Sequence, residues 1–479
     1  MMEDLFTKWS GNPCTEKKTL AANGSNRKYY RLEGGDRTCI AAFNDDVREN
    51  NAFIAFSDFF RTHGLRVPEI YAVSVDRKTY LQSDLGDKSL YDCLVEKKNN
   101  HVGFDEEMYA LYSQVLADLV DFQVVGRELD FSISYPREAF DRQSLQWDFN
   151  YFKYYFLKLA YVPFDEQLLE NDFDTLIYYL MEGDCGFFLY RDFQPRNIMI
   201  CEDGMGGKIP WYIDFQGGRR GAAQYDVASL LYSARSELTQ SVRDDLFGYY
   251  TNLLFSRMGY PQSGRADFEQ RYYAYVLARI MQAMGAYGYR GYFERKEHFL
   301  KSIPPAIANL RYLLENHPLP IHIPHLSYVL RHIVDNGQVM VPSHGGSDND
   351  ASLTVSICSF SYKKGVPSDN SGNGGGFIFD CRALPNPGRY PEYKSLTGKD
   401  QPVIDFLAKE KVVDDFLDDA KRIVSISVAN YLERGFTNLS VSFGCTGGQH
   451  RSVYCAEKMA EFIKKEFPCV IRLNHREQN

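Results

Sequence analysis

A chain of 479 residues exceeds what one ordinary hydrophobic core organises, so two or three domains are expected. A net charge of −9 argues against a broad nucleic-acid surface and leaves room only for a local basic patch. No run approaches the roughly 18 consecutive apolar residues of a membrane span. Acids in Met1-Met2-Glu3-Asp4-Leu5-Phe6, where an export signal carries bases, make the cytoplasm the expected compartment. The 10 cysteines form no Cys-x-x-Cys pair and no zinc-spaced His/Cys cluster, so they read as reduced thiols. The 34 Tyr and 33 Phe point to helices packed through aromatic faces.

Residues 1–85 read as a β-β-α-β-β unit. Lys28–Leu32 and Thr38–Phe43 are β-prone runs separated by Gly34-Gly35-Asp36, a hairpin signal. A helical pattern spans Val47–His63 and closes at Gly64; strand-like runs follow at Ile70–Val73 and Tyr80–Gln82. Residues 86–334 are mostly helical and rich in Tyr, Phe and Leu. Two segments interrupt them. Tyr190-Arg191-Asp192-Phe193-Gln194-Pro195-Arg196-Asn197 lies between the apolar runs Gly186–Leu189 and Ile198–Ile200, and Trp211-Tyr212-Ile213-Asp214-Phe215-Gln216 is a strand ending in an acid. An Asp with an Asn five residues on, facing a second Asp on an apolar strand, is the layout phosphoryl transfer requires. Asp192 is the candidate base, and Asn197 and Asp214 are the candidate metal ligands. Trp147, Asp148, Tyr151 and Tyr155 share a helix whose rings could stack on a sugar, with packing the ordinary alternative.

Residues 335–351 lose apolar character and read as a linker. Residues 352–479 then carry strand-like Leu353–Phe360 and Phe377–Cys381, with a glycine-rich loop Asp369–Gly376 between them. A helix over Asp414–Arg434, a strand Leu439–Phe443, a helix His450–Glu466 and a strand Cys469–Leu473 complete the order. That alternation predicts a small α/β domain with a mostly parallel sheet. Gly444-Cys445-Thr446-Gly447-Gly448-Gln449-His450-Arg451-Ser452 joins a strand to a helix N-terminus, where backbone N–H groups and the helix dipole make a phosphate cradle. Cys445 and Arg451 also fit the Cys-x₅-Arg spacing of a thiolate phosphatase, a second reading of the loop.

The Tyr190–Asn197 and Trp211–Gln216 segments, with Tyr225-Asp226-Val227-Ala228-Ser229-Leu230-Leu231 after them, resemble the aminoglycoside phosphotransferase and choline kinase superfamily. Their wording is closest to the anomeric N-acetylmuramate/N-acetylglucosamine kinases of cell-wall recycling. The resemblance implies a bilobal protein-kinase-like fold, α/β and α+β in class, with a nucleotide-binding small lobe over 1–85 and a catalytic, acceptor-binding lobe over 86–334. It also implies ATP and Mg²⁺ as cofactors. Gly24–Arg31 would be the nucleotide-covering turn, giving Ser25, Asn26, Arg27, Lys28 and Arg31 as cofactor-binding residues. Gln82, Ser83 and Asp84 would form the adenine hinge, and Asp226 would brace the large lobe. The chain departs from the pattern in having Tyr190 for His and Gln216 for Gly. Its strand Ile40-Ala41-Ala42-Phe43 also lacks the phosphate-pairing lysine, as the sugar kinases do. Arg27, Lys28 or Arg31 could supply that charge, and Glu49 is the candidate helix glutamate.

The loop at 444–452, with Ser361–Pro367, Phe379–Pro387 and Leu396-Thr397-Gly398, resembles the carboxy-terminal domain of the RNase adapter RapZ. The likeness implies an amino-sugar-phosphate effector bound at Cys445, Thr446, Gly447, Gly448, Gln449, His450, Arg451 and Ser452. No Gly-x₄-Gly-Lys-Ser/Thr of the adapter's own nucleotide domain occurs, so RNA binding is not carried over. The resulting expectation is an ATP-dependent kinase of N-acetylated amino sugars fused to a sensor of amino-sugar phosphate, with no membrane partner. The alternatives are a regulatory binder on a degenerate kinase lobe, and a kinase for choline or an aminoglycoside.

Overall fold

The computed structural model describes residues 2–20, 27–204, 206–340, 353–367 and 376–478. The chain divides into two compact units, Met1–Val341 and Pro342–Asn479.

The first unit opens with a helix, Met2–Ser10, that the sequence reading did not anticipate. Its Phe6 is fully buried, and Trp9 stacks on Tyr71 at 4.3 Å between ring centroids. Five strands follow: β1 (Glu16–Thr19), β2 (Lys28–Gly34), β3 (Arg37–Phe43), β4 (Ile70–Val73) and β5 (Thr79–Gln82). They form an antiparallel sheet in the order β1-β2-β3-β5-β4. β1 also went unread, because all four of its residues are exposed and no alternation marks it. The Val47–Thr62 helix starts at an Asp46 cap and packs on the sheet, with Phe53 stacked on Tyr80.

The rest of the unit is helical, as the Tyr- and Phe-rich pattern predicts. Its longest helices are Glu106–Val125, Gln240–Met258 and Arg265–Tyr287. Two small antiparallel ribbons carry the interrupting motifs. β6 (Phe187–Leu189) pairs with β9 (Arg219–Gly221), and β7 (Ile198–Glu202) pairs with β8 (Lys208–Tyr212). The final helix continues through Met340, into the segment read as a linker; residues 341–352 lie outside the described residues.

Phe215, next to Asp214, stacks on Phe53 at 4.6 Å. The metal-strand motif is thereby packed directly against the helix that carries Glu49. Removing a fully buried Phe ring such as Phe215 costs about 3–5 kcal/mol.

The second unit is a four-stranded sheet of β10 (Thr354–Ser361), β11 (Gly376–Asp380), β12 (Asn438–Cys445) and β13 (Val470–His475) in the order β11-β12-β10-β13. All three pairings are parallel, as its strand–helix alternation predicts. The Lys411–Glu433 and Arg451–Glu466 helices close the core, burying Leu417, Val424, Met459 and Ile463. The expected glycine-rich loop lies outside the described residues up to Gly376, the first residue of β11.

Candidate active site and anion loop

The loop after β6 is pinned at three points. The fully buried Asp226 accepts the backbone N–H groups of Tyr190 (2.7 Å) and Arg191 (3.0 Å). Burial pushes its carboxyl up to about 7, against the pull of those two donors. Arg191 clamps Asp148 through two hydrogen bonds of 2.7 and 2.6 Å and donates to the Tyr225 hydroxyl at 2.6 Å. Tyr190, where a His was expected, donates its hydroxyl to the Ile213 carbonyl at 2.5 Å. That bond ties the Asp192 loop to the residue before Asp214.

Arg191 (φ +81°) and Asp214 (φ +71°) both occupy the left-handed region. For residues with a Cβ such backbone costs about 1–3 kcal/mol each and survives only where neighbours impose it. Here those neighbours are Asp226, Asp148 and the Tyr190 hydroxyl, and the strained residues are the two that aim the acids.

Asp192, Asn197 and Asp214 come together as the spacing predicts. The Asn197 amide donates to the Asp192 carbonyl (2.8 Å) and to the Asp214 carboxylate (3.2 Å). Gln194 donates to the Asp192 carboxylate at 3.2 Å, and Gln216 to that of Asp214 at 2.8 Å. Burial, and then the neighbouring Asp192, raise the Asp214 pKa. Two acids crowded in this way are relieved by a cation between them. The buried Gln216 side-chain carbonyl has no hydrogen-bond partner among the described residues. Carboxylate and amide oxygens of this kind suit Mg²⁺, which is commonly held by one or two carboxylates and completed by phosphate oxygens.

On the sheet side, Ser25 and Asn26 lie outside the described residues. Arg27 is buried and ion-paired to Glu49 at 3.3 Å, with Asn44 also donating to Glu49 at 2.8 Å. A buried cation thus stands beside the start of β2, paired to the candidate helix glutamate. Lys28 is exposed. Arg31 is committed elsewhere, bonding Asp84 at 2.6 and 2.9 Å and Asp87 at 3.0 Å. Gln82 is buried, and the Ser83 backbone N–H donates to the Glu69 carbonyl at 2.9 Å.

A cavity of about 170 Å³ opens beside Asp192, bounded by Tyr91, Arg196, Arg235, Arg279, Tyr287 and His298 among others. Trp147, Tyr151 and Tyr155 do not line it. Tyr151 and Tyr155 pack edge to face with each other, and Tyr155 with Tyr289, while Asp148 is held by Arg191. Tyr151 and Tyr155 thus contact other aromatic rings, whereas Trp147 is exposed beside Arg137. The cationic lining escaped the sequence reading because its members come from three separate elements.

In the second unit, the Cys445–Ser452 loop runs from β12 into the Arg451–Glu466 helix. Thr446 and Gly447 are exposed, and Gly448 has φ +70°. The Cys445 sulfur accepts the Gly448 N–H at 3.2 Å and lies 3.2 Å from the Ser452 hydroxyl. Burial alone would raise this thiol, but the Ser452 and Gly448 donors and the Arg451 charge outweigh it, and the net shift is downward.

The loop's larger side chains point away from an anion. Arg451 donates to the carbonyls of Arg382 (2.8 Å) and Leu384 (3.0 Å). Gln449 donates to the Leu396 carbonyl at 2.8 Å, and a His450 ring nitrogen lies 2.9 Å from the Tyr393 carbonyl. These three tie Arg382, Leu384, Tyr393 and Leu396 to the loop, so the backbone around Thr446 and Gly447 is the part of it left open to solvent. The phosphatase reading would need Arg451 to grip the substrate phosphate, and here it grips carbonyls instead.

A kinase-like phosphotransferase domain followed by a parallel α/β domain is the class these features define. The profile of the phosphotransferase enzyme family matches residues 18–262, and the chain belongs to that family. The profile of the RapZ C-terminal domain matches residues 353–479. A nucleotide-binding protein of Thermotoga neapolitana is 41% identical over 140 residues, 29% of this chain and 45% of that relative. One from Pseudothermotoga lettingae is 38% identical over 130 residues, 27% and 44% of the two chains. The chain spans less than half the length of these relatives. Among solved structures, choline kinase LicA from Streptococcus pneumoniae is 14% identical, covering 65% of this chain and 99% of its own, with a TM-score of 0.41. Among the described residues, no helix is long and apolar enough to cross a membrane.

Proposed function

We propose that the first unit is a cytoplasmic sugar kinase that transfers the γ-phosphate of ATP, with Mg²⁺, to the anomeric hydroxyl of N-acetylmuramate or N-acetylglucosamine. The observation that carries the reading is the Asn197 amide spanning the Asp192 loop and the Asp214 carboxylate, beside a cavity with Asp192 on its wall. Asp192 orients the acceptor hydroxyl and takes its proton as the new O–P bond forms and the bond to the ADP oxygen breaks. Asp214 and Asn197 would hold Mg²⁺, which when bound neutralises charge on the phosphates. Arg27, oriented by Glu49, brings positive charge to the same side. A base such as Asp192 contributes on the order of 10²–10⁴-fold, and positioning supplies most of the remainder. The regulatory-binder reading rested on the missing β3 lysine, and the Arg27–Glu49 pair supplies the charge it counted as lost.

The second unit is assigned an amino-sugar-phosphate effector that tunes the kinase in cell-wall sugar recycling, supported by the backbone cradle at Thr446–Gly448 and the RapZ C-terminal match. Coupling of this type is typically about 5–150-fold in affinity.

Incubation with Mg-ATP and N-acetylmuramate, N-acetylglucosamine, choline or kanamycin, read by phosphorus NMR, tests the catalytic assignment. The expected product is a C1 phosphate of an N-acetyl sugar. A phosphorylated choline or kanamycin would replace the sugar assignment. Titration with glucosamine-6-phosphate tests the coupling, which fails if sugar and ATP affinities stay unchanged.

A further inference from the structure

The cavity beside Asp192 has a charge pattern that bears on its occupant. Arg196, Arg235 and Arg279 all line it, and Asp192 is the sole carboxylate among its lining residues. None of the three arginines makes an ion pair among the described residues. Arg279 is nine-tenths buried, with hydrogen bonds to the neutral groups of Ser229 (3.0 Å) and Gln282. Arg235 lies over the Tyr91 ring at 5.2 Å. His298, on the same wall, has its pKa lowered by burial, then by Arg235, Lys296 and Arg196.

Three guanidinium groups around a cavity that offers the single carboxylate of Asp192 repel one another, and the buried Arg279 is held at a cost that an anion lowers; Asp214 and Asp226 act on Arg196 and Arg279 without an ion pair. That anion is not explained by the nucleotide. Neither β1–β5 nor Asn197 and Asp214, the residues assigned to its Mg²⁺, line the cavity. A cationic acceptor would meet three like charges here.

We propose that this cavity selects an acceptor carrying an anionic group, and that Arg196, Arg235 and Arg279 hold that group while Asp192 faces the reacting hydroxyl. The proposal rests on the kinase reading of the site and narrows its substrate class to sugar acids or sugar phosphates. Guanidinium binds carboxylate and phosphate through the same paired N–H donors, so the geometry names their shared chemistry.

The test is kcat/KM of the full chain with Mg-ATP for three acceptor groups: sugar carboxylates (N-acetylmuramate, glucuronate), sugar phosphates with a free hydroxyl, and neutral sugars (N-acetylglucosamine, glucose). One anionic group is expected to exceed the neutral sugars by roughly 10²-fold, the effect of one or two charged hydrogen bonds. Whichever anionic group leads identifies the source. In Arg235→Gln that ratio should fall at least tenfold, and Arg235→Lys should restore part of it. Because the ratio compares acceptors on one protein, partial unfolding cancels. Neutral sugars turned over as fast as the anionic ones would overturn this proposal and leave the sugar-kinase reading standing. Turnover of choline or kanamycin alone would overturn both. If no acceptor turns over, calorimetric binding of N-acetylmuramate with a non-hydrolysable ATP analogue decides: binding lost in Arg235→Gln supports the proposal, and no binding overturns it.

Discussion

The Arg27 guanidinium, buried at the head of β2, meets the Glu49 carboxylate of the Val47–Thr62 helix at 3.3 Å. In the proposed kinase reading the pair stands in for the cation–glutamate contact that β3 cannot make. It places a fixed positive charge close enough to Asp214 to oppose the rise in that carboxyl's pKa.

Arg27→Met is therefore expected to lower turnover about 10²-fold, the usual loss when one preorganised donor to a developing charge is removed. Glu49→Gln keeps the cation and loosens its aim, so its loss should be smaller and should fall mainly on KM for ATP. Steady-state kinetics of the two variants separate the roles. Equal losses in both would mean that the pair acts only as a structural brace.

The fold was largely legible from periodicity. The Val47 helix and the alternation after Thr354 carry strong signals because each buries one face. β1 carried none, its residues all being exposed. Asp192, Asn197 and Asp214 were legible because they sit at fixed short spacings in the segments that flank β6, β7 and β8. The choice of Arg27 over Lys28 and Arg31 was not, since it depends on which residue the Asp84 and Asp87 carboxylates claim, and they claim Arg31. The arginine-lined cavity was invisible for a similar reason: Arg196 and Arg279 meet only when the Arg265–Tyr287 helix packs beside the loop.

Asp226 makes stability pH-dependent. Its folded pKa of about 7 lies above the ordinary value of 3.8, so the folded state holds a proton that the unfolded chain releases. The stabilising effect is complete below about pH 4 and declines as pH rises towards 7. Thermal melts of wild type and Asp226→Asn between pH 5 and 8 should therefore show wild type losing stability relative to the variant as pH rises. Parallel curves would contradict the buried, raised carboxyl.

In the second unit, Gly448→Ala is expected to destabilise the anion loop. A Cβ there would lie 2.4 Å from the Glu477 side chain and 2.9 Å from the Ser361 nitrogen, on backbone at φ +70°. A loss of about 1–3 kcal/mol follows from the strain alone. It should appear as an earlier melting transition, together with weaker glucosamine-6-phosphate binding by calorimetry.

Cys445 should alkylate with a mid-point below the ordinary thiol value near 9, because Ser452, Gly448 and Arg451 lower its pKa despite burial. The folded thiolate is favoured, so its stabilising effect is present at high pH and lost as pH falls through the depressed value. Mass-spectrometric iodoacetamide labelling across pH 6–10 measures this, and Ser452→Ala should move the mid-point upward.

The most direct measurement is single-turnover phosphoryl transfer from Mg-ATP to N-acetylmuramate by wild type and by Asp192→Asn, with circular dichroism on both. The expected result is a C1 phosphate from wild type and a rate lower by about 10²–10⁴-fold in the variant, with unchanged ellipticity. Equal rates in the two proteins would contradict the assignment of Asp192 as the base, and with it the catalytic account of this site.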